Sequence, residues 1–126
     1  MRDFRQIRVW RKAHQLILNI YRITSRFPRE EQYGLTSQLR RASASIAANI
    51  AEGFGRGGDA ELARFLQMSI GSAYEVEYHA LLAKELGFIG PAAYENLQEQ
   101  VVEVKQMLAA LFVKVKRGSQ ARFGKQ

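Results

Sequence analysis

Apolar residues recur along this chain at helical spacing, and breaks rich in glycine or proline cut the pattern into four stretches. The first runs from about Ile7 to Arg26 with Trp10, Ala13, Ile17, Ile20 and Phe27 on one stripe, and it closes ahead of Pro28, which disfavours helix in the residue before it. The second carries Leu35, Leu39, Ala42, Ile46 and Ile50 and is expected to stop at Gly53, leaving Gly53 to Gly58 as a loop. Asp59 is placed to cap a third helix that continues to Leu86, where Gly87 ends it. Pro91 suits the first position of a fourth, in which Leu97, Val101, Val104, Leu108, Leu111 and Val115 give the strongest periodicity of the chain. No segment alternates as a strand does. Four helices of similar length joined by short loops predict an all-α fold, an antiparallel up-down-up-down four-helix bundle over residues 1–117, with a basic tail over 118–126 expected to be disordered.

Composition narrows the function classes. The 126 residues contain no cysteine, which removes disulfide scaffolds, thiolate nucleophiles and cysteine-ligated zinc and fits a reducing cytoplasm. No window reaches the ~18 apolar residues of a membrane span, and the basic amino terminus leads into no signal-type apolar run, so neither export nor membrane insertion is expected. The net charge of +7 is unevenly distributed. Residues 1 to 29 hold eight Lys or Arg against Asp3 alone, residues 30 to 103 five against eleven acids, and residues 104 to 126 six against none. In an up-down-up-down bundle the amino terminus, the Gly53 to Gly58 loop and the end of helix four share a pole. Arg2, Arg5, Arg8, Arg56, Lys114, Lys116 and Arg117 are therefore the candidate contacts for RNA or DNA phosphates.

Two stretches, Ala42 to Ala51 and Phe65 to Tyr74, carry no charge. A helix with one face in water normally shows a charged residue every turn or so, and these present Ala, Ser and Gly instead. The expectation is that another subunit covers them. Beside the apolar stripe of helix two runs a polar one: Gln38, Arg41, Ser45, Asn49 and Glu52. Glu77 falls on an apolar stripe of helix three with Leu66, Ile70, Ala73 and Leu81, where a carboxylate needs a partner, and Arg41 is the first candidate. A structural polar network of Arg41, Asn49, Glu52, Glu75 and Glu77 is expected to fix helix register or subunit docking.

Catalytic and cofactor readings find little support. Gly53, Gly55 and Gly58 match GxGxxG, but a helix precedes them where a dinucleotide site needs a strand. Helical bundles hold di-iron sites on Glu-x-x-His repeats, and none occurs, since Glu75 and His79 stand four apart. Two isolated histidines, His14 and His79, build no nucleophilic triad. No metal, cofactor or catalytic residue is expected. A hydrolase using Glu52, Glu75 or Glu77 is the least supported reading.

The run FPREEQYGLTSQLRRASASIAANIAEGFGR, followed by FLQMSIGSAYEVEYHALLAKELGF, resembles the four-helix-bundle family of proteins encoded in 23S rRNA intervening sequences, also called S23 ribosomal proteins. The resemblance spans about residues 4 to 116. Arg40, Arg41, Asn49, Glu52, Gly53, Arg56, Glu75 and Glu77 fall on its motifs, and the extended tail departs from them. The family is similar to the accessory variability protein of diversity-generating retroelements, a pentameric ring that associates with a reverse transcriptase and nucleic acid. The resemblance thus implies a homopentamer, nucleic-acid binding and a protein partner such as a nucleic-acid enzyme. The expected function is that of a non-enzymatic accessory or scaffold factor, with a pure protein-interaction scaffold for an acidic partner as the alternative.

Overall fold

The computed structural model describes the backbone of residues 3–124 and the side chains of residues 3–119. Four helices form, α1 (Arg8–Thr24), α2 (Leu35–Gly55), α3 (Asp59–Glu85) and α4 (Pro91–Gly124), with short 3-10 turns at Phe4–Gln6 and Arg29–Glu31 and no strand among the described residues. Each helix packs on the next, α4 packs back on α1, and among the described residues the backbones of the diagonal pairs stay apart. This is the up-down-up-down bundle predicted from the loop lengths.

The core is one cluster running the length of the bundle, with Leu16, Ile20, Leu39, Ile46, Ile50, Leu66, Val76, Leu97, Val101, Val104 and Leu108 removed from water. On α1 the buried stripe is Val9, Ala13, Leu16 and Ile20, rotated from the predicted one, so that Trp10 and Ile17 are only partly covered and Leu18 faces outward. On α3 the inward line is Leu62, Leu66, Ser69, Ala73, Val76, Ala80 and Ala83, and Leu81 from the expected stripe is exposed.

Helices α2 and α3 meet at close range around Gly53. A Cβ at Gly53 would stand 2.9 Å from Phe65 Cβ and 3.0 Å from Leu62 Cδ1, so glycine there admits the neighbouring helix and does not end its own. Helix α2 accordingly passes through Gly53 to Gly55, and the loop shrinks to Arg56, Gly57 and Gly58, with the turn made by Gly57 at φ +83°. Gly58, not Asp59, occupies the N-cap, and Asp59 and Glu61 supply negative charge to the first turn of α3. At the other end Gly87 adopts φ +81°, its N–H bonds Lys84 O at 3.0 Å and Phe88 N–H bonds Ala83 O at 2.9 Å, a Schellman stop.

Helix α4 does not break at Gly118, where the tail was expected to start, but continues to Gly124. One helical glycine costs only about 1 kcal/mol. Here it lies beside the start of α3, where an added Cβ would be 3.5 Å from Asp59 Oδ2. Residues 125–126, the last of the expected tail, lie outside the described residues.

Candidate nucleic-acid interface

The three chain regions expected at one pole do meet there. The amino-terminal turn packs on α2, and Gln6, Ile7, Arg8 and Val9 line a shallow cleft of about 290 Å³ with Met107 and Leu111 of α4. The α2–α3 loop joins them through the approach of Asp59 to Gly118. Arg8, Lys114, Lys116 and Arg117 are exposed and form no ion pair among the described residues. Arg5 and Arg56 are partly neutralised: Arg5 pairs with Asp3 at 3.3 Å, and Arg56 pairs with Glu52 at 3.5 Å one turn back while its guanidinium lies 5.2 Å from the Phe65 ring centre. Both pairs are exposed, so a phosphate can displace the carboxylates at little cost. Arg2 lies outside the described residues.

The charge of the first 29 residues does not all gather at that pole. Arg22, Arg26 and Arg29 are carried by α1 to the opposite end of the bundle, where Arg22 and Arg26 line a cleft with Ile23, Phe88, Ile89, Gly90 and Ala93. A sum over a segment does not see that a helix of 17 residues separates its two ends by roughly 25 Å.

The polar residues of α2 and α3 form several small contacts rather than one network. Glu77 does not meet Arg41. Its carboxylate accepts from Lys105 Nζ at 2.7 Å and from Gln98 Nε2 at 3.0 Å, both on α4, because position 77 faces that helix and Arg41 stands exposed on α2. The Lys105 hydrogen bond holds the Glu77 carboxyl below the ordinary value, against the opposing effect of partial burial. Lys105 also sits 4.2 Å from the Tyr74 ring centre. Gln98 and Lys105 were missed by sequence reasoning, although a signal existed: each immediately follows a core residue of the α4 repeat, at Leu97 and Val104. Asn49 donates to Ser45 O and Oγ within its own helix, Ser72 bonds Ser45 across the interface at 3.0 Å, and buried Ser69 donates to Ile46 O at 2.8 Å. Another unforeseen contact is Asn19 Nδ2 to Gln100 Oε1 at 2.6 Å between α1 and α4.

Arg41 and Glu75 do share a place. With Gln38, Ala42, Ser45, Ser72 and His79 they line an open groove of about 420 Å³ between α2 and α3, into which the two charged groups project without forming an ion pair. His79 Nδ1 is buried there with no hydrogen-bond partner among the described residues. Around it the charge-free stretches present exposed Ala48, Met68, Gly71 and Tyr74, followed by Tyr78 and Leu81, whereas Ala47 points into the core. Among the described residues no cluster of metal-ligating side chains exists. No described helix is long and apolar enough to cross a membrane.

A search of curated proteins finds no match. Among solved structures, a protein of unknown function from the S23 ribosomal protein family of Bacteroides thetaiotaomicron superimposes with a TM-score of 0.77 at 23% identity, covering 82% of this chain and 94% of that one. At that identity the likeness speaks for the bundle fold. Residues 5–110 match the family described as 23S rRNA-intervening sequence protein, a span holding all four helix cores and the Arg40 to Arg56 and Glu75 to Glu77 motifs, and the chain belongs to that family.

Proposed function

We propose that this protein is a non-enzymatic, cytoplasmic accessory or scaffold factor that assembles into a homo-oligomer, a pentamer by family resemblance, and binds RNA or DNA through its basic surface. The observation that carries the reading is the convergence of Arg8, Lys114, Lys116 and Arg117, exposed and without ion pairs among the described residues, at one pole of a chain with net charge +7. Cations left without carboxylates attract phosphate, and displacing condensed counterions from a strand drives such binding. A nucleic-acid enzyme is the protein partner that fits.

Assembly is supported by the outward face of α3, on which Met68, Gly71, Tyr74, Tyr78 and Leu81 are exposed with Glu75 as the charge among them. Sedimentation equilibrium is expected to give about five times 14.3 kDa. Ala48→Glu is the decisive variant, since it places a carboxylate on the exposed, charge-free stretch of the neighbouring helix α2 without entering the core. A monomer at micromolar concentration would contradict assembly.

Binding is tested by anisotropy of a labelled RNA across a salt series. The log-log slope should be about −0.7 to −0.9 per phosphate contacted, and Arg8→Glu, Lys116→Glu and Arg117→Glu together should flatten it while helical content stays constant. A parent protein that binds an acidic polypeptide but not RNA or DNA would replace this reading with the protein scaffold.

A further inference from the structure

The outer face of α1 is a second cationic surface, which starts from Arg8 at the pole and runs away from it. Arg8, Arg11, Gln15, Leu18 and Arg22 follow one another along α1 at steps of three or four residues, Arg26 follows in the turn after the helix ends, and all are exposed. Residues so spaced lie on a single line along a helix. Arg8 and Arg22 are about 21 Å apart at ~1.5 Å per residue. From Phe4 to Arg29 the sequence contains no acid. Arg8 and Arg26 have no carboxylate within ion-pair distance among the described residues, and Arg11 and Arg22 donate only to neutral oxygens, Arg5 O and Asn19 Oδ1, each at 3.3 Å. Lys12, on the flank facing α4, is the α1 cation that is paired, to Glu103 at 3.3 Å.

An aromatic group is built into the same helix. Tyr21 is 45% exposed, and the Arg40 guanidinium lies 4.5 Å from its ring centre. Arg40 is not free to wander: its Nε donates to Thr24 Oγ1 at 2.8 Å, and Thr24 in turn donates to Ile20 O at 2.7 Å. The stacked pair is therefore held in place before any ligand arrives, a cation over a ring at the far end of a line of arginines.

We propose that the α1 face binds single-stranded nucleic acid lying parallel to the bundle axis, with Arg8, Arg11, Arg22 and Arg26 on phosphates and the Tyr21–Arg40 stack receiving a base. This rests on the nucleic-acid reading above and changes where the strand runs: along the bundle from pole to pole. A line of about 21 Å matches roughly six nucleotides at the ~3.4 Å per nucleotide of a stacked strand. An exposed ring selects a single strand over a duplex, because unpaired bases offer faces for stacking and paired ones do not. Helix α1 sits diagonally across the bundle from α3, so the α1 and α3 outer faces are separate surfaces.

The test compares two variants of the full chain for binding of labelled oligouridylate and of a duplex of equal length. The stripe variant is Arg11→Gln, Arg22→Gln and Arg26→Gln; the pole variant, of equal charge change, is Lys114→Gln, Lys116→Gln and Arg117→Gln. The stripe variant should lose about tenfold or more in affinity and reduce the salt slope by about two, and the pole variant should lose less. Tyr21→Ala should weaken oligouridylate about fivefold or more and leave the duplex unchanged, with Tyr21→Phe restoring it. Loss in the pole variant alone overturns the α1 path while the nucleic-acid reading stands. A Tyr21→Ala variant that binds oligouridylate like the parent overturns the single-strand assignment. A parent that binds neither probe overturns both readings. Polyglutamate competing as well as oligouridylate of equal charge would show that the face attracts any polyanion, and would also overturn the proposal.

Discussion

Helices α1 and α3 occupy opposite corners of the same square and both line its core, yet their outer faces have opposite chemistry. Outside, α1 is arginine-lined and strongly amphipathic. Outside, α3 exposes Met68, Gly71, Tyr74, Tyr78 and Leu81, and its amphipathicity is weak. Packing within one chain needs only the inner stripe, so the outer faces are free to carry other information. The two helices divide that freedom between a cationic surface and one rich in exposed apolar and aromatic side chains.

The first way to test the comparison is to show that the inner faces are equivalent. Leu16→Ala on α1 and Leu66→Ala on α3 each open a cavity at a fully buried site and should each cost about 2–5 kcal/mol in denaturant unfolding. A much smaller cost at one would mean that its helix is not held by the common core.

Glu77 comes next, as the place where α3 makes a charged contact with α4. Glu77→Ala strands Lys105, but the pair retains partial access to water at 26% and 19% side-chain exposure, so about 1–2 kcal/mol is expected instead of the larger cost of a sealed ion pair. Its pH signature has a definite sign. A carboxyl held below its ordinary value of 4.5 in the folded state stabilises fully above that value, and the contribution is lost as pH falls through the depressed folded value. The difference in stability between parent and Glu77→Gln should therefore shrink on acidification below about pH 4.5 and be flat above it.

Gly71→Ala separates the monomer from the assembly. The site is helical, exposed and open around an added Cβ, so alanine should raise monomer stability by about 0.5–1 kcal/mol. If a neighbouring subunit approaches that face closely, the same methyl should weaken association, seen as dissociation at a higher protein concentration. Smallest of all, Arg11→Ala on the α1 face should change unfolding stability by no more than ~0.5 kcal/mol, because an exposed arginine without a carboxylate holds nothing together.

Most of the bundle was legible because helical period, Pro28, Gly87 and Pro91 are local signals. What was not legible depended on rotation and pairing. A stripe drawn through Leu66, Ile70 and Leu81 differs from the true one by a fraction of a turn, enough to send Glu77 toward α4 and to make Arg41 an implausible partner. Gly53 looks like a helix stop in a single sequence, which does not display that the space a side chain would need is taken by Phe65 of the next helix. The basic pole was legible in Arg8, Lys114, Lys116 and Arg117, while the α1 line was hidden inside a charge sum that merged both ends of one helix.

The short α2–α3 connection has a kinetic consequence. Closing a three-residue loop costs little chain entropy, and the two helices it joins share the most extensive interface in the molecule, with Gly53 letting them meet at close range. Docking α1 on α4 instead links the two ends of the sequence. The α2–α3 hairpin is thus the natural early unit of folding, and the α1–α4 seam, bridged by Asn19 to Gln100 and Lys12 to Glu103, closes last and opens first. Amides of α1 should accordingly exchange with deuterium ahead of those of α2 and α3. The helix proposed to meet nucleic acid would then be the one whose docking a bound strand could steady.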